Sequence, residues 1–232
     1  LEVAAFTDLS ALAKCRAMSA DAWRIDAVLT GRAMPLRGDA LSGIAKQRRQ
    51  GRVAVTSAGL ADDEQADRLN HGGPDMAVHL FPRDHYPALA ARTRSPLLDD
   101  AGALGENISL RGLTEADVAI GDRFRLGSAL VEIAQGRKPC WKPAHRLGDP
   151  TLVSYLVASG ATGWYFRVIE EGDVAEGDVM MLVERPHAEW TVARVFGLVV
   201  RGDSDVAALR ALAGLRALSA DWRRRAAMRL TA

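Results

Sequence analysis

The chain has 232 residues, 48% hydrophobic and 25% charged, which is ordinary for a folded globular protein and too apolar for a mainly disordered one. Lys and Arg total 30 against 29 Asp and Glu, and a net charge of +1 gives no global reason to expect a nucleic-acid polymer or a membrane as partner. No run approaches the roughly 18 to 20 apolar residues of a membrane span, and two cysteines, Cys15 and Cys140, are too few for a disulfide framework.

Leu1 to Ala22 is Ala-rich and reads as an extension without a signal-peptide pattern, so a cytoplasmic protein with reduced thiols is expected. The first strand pattern is Arg24 to Leu29, followed by a Gly-, Pro- and Arg-containing stretch to Gly51. Arg52 to Thr56 alternates with period two, as a half-buried strand does. Ala77 to Phe81 is a further strand, and Pro82 is placed to open a helix through about Arg92, because its fixed φ suits the first helical position. Asn107 to Leu110, Arg123 to Leu126 and Ala129 to Ile133 are short strands between Gly-containing turns. Asp149-Pro150-Thr151 opens a helix that Gly160 ends, and Trp164 to Ile169 and Val179 to Val183 complete the β region.

An internal repeat runs through that region. Asp117-Val118-Ala119-Ile120-Gly121-Asp122 matches Asp173-Val174-Ala175-Glu176-Gly177-Asp178, each directly before a strand. Gly supplies the permissive backbone and Asp the side chain that closes a turn, which suggests a barrel of short strands with tight corners.

From Trp190 the pattern changes to three helices: Thr191 to Val200, a second capped by Ser204 with Gly214 in the left-handed position after it, and a third capped by Ser219. This tail carries eight Arg against three Asp, so it is +5 and the remainder −4. Arg223-Arg224-Arg225 reads as a solvated helix face that could also dock an acidic partner. The expected fold is mainly β with helices, of the α+β class. It comprises an extension over 1–22, a β-barrel domain over 23–187 and a three-helix appendage over 188–232.

No phosphate loop, dinucleotide fingerprint, nucleophile elbow or Cys-x-x-Cys occurs, and none of the five His is paired at helical ligand spacing. Three segments carry candidate chemistry. In Asn70-His71-Gly72-Gly73-Pro74-Asp75 the two glycines let backbone N–H groups approach an anion, with His71 and Asp75 as polar tips; the same residues also make a tight turn with a capping Asp. In Gly105-Glu106-Asn107 the Asn could orient a polar ligand or serve the turn. In Gln135-Gly136-Arg137-Lys138-Pro139-Cys140-Trp141-Lys142, three cations within three residues of Cys140 favour its thiolate, the form that binds metals and attacks electrophiles. The same cations attract a phosphate or an oxyanion. A small buried structural cysteine is the alternative.

Taken together these residues resemble the MOSC family, the molybdenum-cofactor sulfurase C-terminal domain, and within it the bacterial YiiM-like branch. The resemblance is carried in order by Gly59 to Asp67, His71 to Asp75, Phe81 to Tyr86, Gly105-Glu106-Asn107, Gly112-Leu113-Thr114 and Pro139 to Lys142, over about Arg24 to Pro186. The tail, with Ala213-Gly214-Leu215 and Trp222, is similar to the C-terminal appendage of that branch. Asp62 stands where the family usually carries Gly, and Met76 where a basic residue is common.

The resemblance implies a barrel-like domain holding a molybdenum–pterin cofactor, with Cys140 as metal ligand and catalytic thiolate. Arg137, Lys138 and Lys142 would meet the pterin phosphate or the metal's oxygens. His71, Gly72, Gly73, Asp75 and Asn107 would bind cofactor in the same pocket. The implied activity is reduction of N-hydroxylated compounds of the hydroxylaminopurine type. No flavin, haem or iron–sulfur motif occurs and pyridoxal phosphate is not expected, so electrons would come from a separate reductase, for which the basic tail is a candidate docking surface. The alternatives are a carrier of the cofactor or of persulfide sulfur without turnover, and an anion-binding barrel used for interaction alone.

Overall fold

The computed structural model describes residues 21–67 and 72–231. The expected N-terminal extension with Cys15, apart from its last two residues, and the candidate His71 lie outside the described residues. In chain order the elements are β1 (Ala22–Thr30), β2 (Met34–Arg37), β3 (Ala40–Ser42), β4 (Gln47–Arg48), β5 (Val53–Thr56), β6 (Gly59–Leu60), β7 (Val78–Pro82), α1 (Tyr86–Thr93), β8 (Ile108–Leu110), β9 (Arg123–Leu126) and β10 (Ala129–Gly136). They continue with α2 (Trp141–Leu147), α3 (Leu152–Ser159), β11 (Trp164–Glu170), β12 (Gly172–Val174), β13 (Val179–Glu184), α4 (Val192–Phe196), α5 (Val206–Gly214) and α6 (Ala220–Met228).

Seven strands close on themselves in the order β13-β9-β10-β11-β7-β8-β1, the last pairing back to β13, and β4 extends β1 beyond the ring. The β7–β8 pair is parallel and the others antiparallel. Closure removes the open edges that would otherwise invite pairing with another chain. The fold is α+β, a barrel with helices at its rim and a helical C-terminal unit.

The repeat explains one corner of the barrel. Asp122 accepts from the Ala119 N–H at 2.9 Å and Asp178 from the Ala175 N–H at 3.0 Å, the same three-residue turn twice. Gly121 and Gly177 precede them with φ of 86° and 88°, which side chains rarely adopt. The strands that follow, β9 and β13, pair with each other. Asp62 has φ 62°, a left-handed conformation that Asp tolerates.

The eight residues of β10 are all buried, so this strand runs from barrel wall to site without an exposed face. Its Glu132 is satisfied across both neighbouring strands, accepting from Arg123 Nε and Arg167 Nη1, each at 2.8 Å. One apolar core fills the barrel and continues into the C-terminal helices through Phe196, Leu212 and Trp222. A second lies beneath α1, α2 and α3, around Phe81, Tyr86, Leu89 and Leu152.

Several boundaries differ from the sequence expectation. The helix expected over Thr191 to Val200 is α4 followed by a π turn over Gly197–Arg201. Pro82 ends β7, held extended by its register with Leu110, and a 3-10 turn over Arg83–His85 precedes α1. Asp205, one residue beyond Ser204, caps α5 by accepting from the Ala208 N–H at 2.9 Å, after Gly202 has turned the chain at φ 105°. Gly214 is the last residue of α5 and needs no positive φ, because Leu215 leaves in an extended conformation to pack on the core. Ser219 caps α6 as expected, accepting from the Trp222 N–H.

Candidate functional site

Several loops converge at one rim of the barrel. The β3–β4 loop brings Gly43, Ile44 and Lys46, the segment after β6 brings Asp63 to Asp67, and the start of β7 brings His79. Asn107 arrives at the head of β8, Tyr165 on β11, and Arg137, Cys140 and Lys142 beyond the end of β10. Together they line an open pocket of about 610 Å³, counted out into solvent.

A buried ion pair lies at its floor. Lys46 Nζ meets Asp63 Oδ1, with the side chains 8% and 6% exposed. Asp63 also accepts from the Gly31 N–H at 2.8 Å and from Asn107 Nδ2 at 2.9 Å. Burial pulls the Lys46 ammonium below its ordinary pKa and Asp63 opposes the shift. Asn107 is the hinge of this set, since its Nδ2 also donates to Leu29 O at 3.1 Å and its Oδ1 accepts from the His79 N–H at 3.0 Å. The asparagine amide thus ties β1, β7 and the Asp63 segment together.

His79 is buried, with Nε2 lacking a hydrogen-bond partner, and its ring lies 4.8 Å from that of Tyr165. Burial, followed by the charge of Arg137, holds its imidazole well below the ordinary value, so it is neutral at physiological pH. Burial raises the Tyr165 phenol, with Arg137 pulling the other way. Arg137 leaves β10 with its N–H on Gly163 O at 3.0 Å and its Nη1 on Leu104 O at 2.7 Å. This anchors the loop that carries Cys140, which is half-buried directly before α2.

The three cations flanking Cys140 do not converge on one point. Arg137 and Lys142 line the pocket with it, whereas Lys138 is exposed and lines a separate groove on the other side of the cysteine. The glycine segment also differs from the expected anion cradle. The Gly73 N–H donates to Gln65 Oε1 at 3.1 Å, and Asp75 accepts from Arg167 Nε at 2.8 Å on the barrel wall. Gly72, Gly73 and Asp75 are therefore not among the pocket's lining residues. Gln65, fixed by Gly73, is. Lys46, Asp63, His79 and Tyr165 carry no local motif, and each acquires its place only when distant segments meet. Asp63 did lie within the run that carries the resemblance.

Among the described residues no helix is long and apolar enough to cross a membrane. A family model described as MOSC domain matches residues 67–181, and one described as YiiM-like, 3-alpha helix domain matches 190–232. Protein YiiM of Escherichia coli is 38% identical over 159 residues, covering 68% of this chain and 71% of that protein. A protein of Gibberella moniliformis named Reductase is 37% identical over 162 residues, 69% of this chain but only 29% of that longer protein. The crystal structure of YiiM from Geobacillus stearothermophilus superposes with a TM-score of 0.77 at 33% identity, covering 90% of this chain and 99% of that one. On these matches over both the barrel and the helical unit, the chain belongs to the MOSC family, in its YiiM-like branch.

Proposed function

We propose that the protein is a molybdenum-cofactor-dependent reductase of N-hydroxylated compounds, hydroxylaminopurine-type bases among them, with Cys140 as thiolate ligand to the metal. The observation that carries this reading is the placement of one half-buried thiol at the edge of a pocket that Arg137 and Lys142 also line. The donor set fits such a group. A soft thiolate suits a redox-active metal, and Arg137 and Lys142 offer donors to a pterin phosphate in a pocket whose lining also carries Asp63, Glu64 and Asp67. Among the described residues no three His, Cys, Asp or Glu are grouped to hold a metal ion by themselves, so Cys140 would be one ligand to a metal chelated mainly by the pterin.

When bound, the group would supply the two electrons that convert an N–OH to an N–H, with two protons taken up and water released. The chain's own residues bind and orient. Arg137 and Lys142 neutralise anionic charge in the pocket, and Asn107 with the Lys46–Asp63 pair keeps its floor rigid. The Arg137 contacts to Gly163 and Leu104 fix the loop on which the thiol sits. Electrons would reach the site from a separate reductase. The Gibberella relative's name supports reductive chemistry for that protein.

The test is molybdenum and pterin content after expression in a host that makes the cofactor, comparing the native chain with Cys140→Ala. The expected result is near-stoichiometric metal in the native chain, at least tenfold less in the variant, and, with a chemical reductant supplied, reduction of a hydroxylaminopurine by the native protein but not by the variant. No metal or pterin in either protein sinks the reading. Loaded protein without turnover, given a chemical reductant, replaces it with a cofactor-carrier role.

A further inference from the structure

Cys140, Met76 and Tyr165 line two cavities at once. One is the pocket described above. The other is a groove of about 930 Å³ that runs from these three residues to the C-terminal helix α6. The charged residues lining the groove are Lys138 on the barrel side and Asp221, Arg224 and Arg225 on α6, three cations against one carboxylate.

This cationic wall is built into the fold. The Ser219 N–H donates to Ala134 O at 2.9 Å, tying the start of α6 to β10. Trp222, 1% exposed, packs where a side chain at Gly136 would stand, since a Cβ there would lie 2.9 Å from its Cη2. The helix is thus clamped to the strand that leads into Cys140. Asp221 then orients both guanidiniums, accepting from Arg225 Nε at 2.6 Å and from Arg224 Nη2 at 3.4 Å. Arg223, although part of the same basic run, is not among the groove's lining residues. The sequence run therefore does not form one flat basic face. A concave cationic wall that ends at a thiol suits a small anion better than the convex surface of a protein partner. At the junction, the Tyr165 ring and Met76 offer an apolar seat for a flat ring.

We propose that the groove is the substrate seat and selects phosphorylated substrates, namely N-hydroxylated purine nucleoside monophosphates. The purine would sit at Met76 and Tyr165 beside Cys140, with its phosphate on Arg224, Arg225 and Lys138. The N-hydroxylated part of the assignment rests on the reductase reading; the selection for a phosphate rests on the groove alone.

The experiment measures binding to the full chain free of cofactor, by calorimetry, with adenosine 5′-monophosphate, adenosine and inorganic phosphate as probes. The nucleotide is expected to bind at least tenfold more tightly than adenosine or phosphate. The double variant R224Q/R225Q is expected to lose that advantage while holding adenosine within twofold, and Lys138→Gln to lose part of it. Circular dichroism confirms that each variant is folded. Equal affinity for nucleotide and nucleoside overturns the proposal. So does phosphate binding as tightly as the nucleotide, or nucleotide affinity that depends on Lys142 and not on Arg224 and Arg225, which places the phosphate in the cofactor pocket. Unchanged nucleotide binding in R224Q/R225Q, combined with slower reduction by a protein donor but not by dithionite, also overturns it and makes the wall a donor-docking surface. Because binding is read without the cofactor, failure of the reductase reading leaves this result intact. On the loaded enzyme, R224Q/R225Q is expected to raise KM for N6-hydroxyadenosine monophosphate at least tenfold with kcat held within threefold.

Discussion

At the scale of single residues, the site depends on a buried charge pair that is stable only as a pair. Lys46 and Asp63 are both nearly excluded from water, and their desolvation is offset by mutual attraction and by two further donors on Asp63, the Gly31 N–H and Asn107 Nδ2. Removing one partner leaves an uncompensated charge. Lys46→Met is therefore expected to destabilise the protein by about 3 kcal/mol, measured by urea unfolding, and to lower the affinity for anions in the pocket. A loss below about 1 kcal/mol would show that solvent reaches Asp63 freely. Asn107 was legible as a polar residue at the start of a strand. Its role was not, because its amide satisfies groups on β1, β7 and the Asp63 segment that are far apart in sequence. Lys46 was illegible for the same reason, since a lysine in a loop gives no sign that folding will bury it.

At the scale of elements, the repeated turn shows how one local motif can carry two different energies. Asp122 and Asp178 accept the same backbone N–H three residues back, and the repeat was readable directly from the chain. Their surroundings differ. Asp122 is fully buried and also accepts from Arg185 Nη2 at 2.8 Å, whereas the Asp178 side chain is 24% exposed and faces Arg52 at 3.2 Å. Asp122→Ala is expected to cost about 3 kcal/mol and Asp178→Ala about 1 kcal/mol, compared by thermal unfolding of the two variants. Equal losses would mean that turn closure, and not burial of the ion pair, sets the energy. The helix boundaries follow the same logic. Pro82 suits a helix start by its φ, yet its partner on β8 keeps it in the sheet, so tertiary pairing overrides local preference.

For the whole molecule, the decisive contact is between the barrel and the helical unit. The three helices are too small to be secure alone, and their core is continuous with the barrel's through Phe196, Leu212 and Trp222. Gly136 is a point of close approach between them. Its Cβ would stand 2.9 Å from Trp222 Cη2 and 3.3 Å from Val192 Cγ1. Gly136→Ala is expected to lower stability by about 2 kcal/mol through overpacking, with a change in tryptophan fluorescence as the indole shifts. Unchanged fluorescence and melting would show that the helical unit moves as a whole without strain.

The sequence by itself determined the seven barrel strands and β5, the repeated turn, the change to helices at Trp190 and the order of family motifs, because each follows from local periodicity, turn chemistry or residues adjacent in the chain; β2, β3, β4, β6, β12 and helix α2 had no such signal. It also singled out Cys140 and the cations around it. The tertiary structure alone decided which side of the cysteine each cation faces, that Gly73 and Asp75 serve other partners, and that α6 supplies a wall beside the thiol. Those outcomes depend on burial, on closure of the barrel and on contacts between residues tens of positions apart, none of which has a local signature.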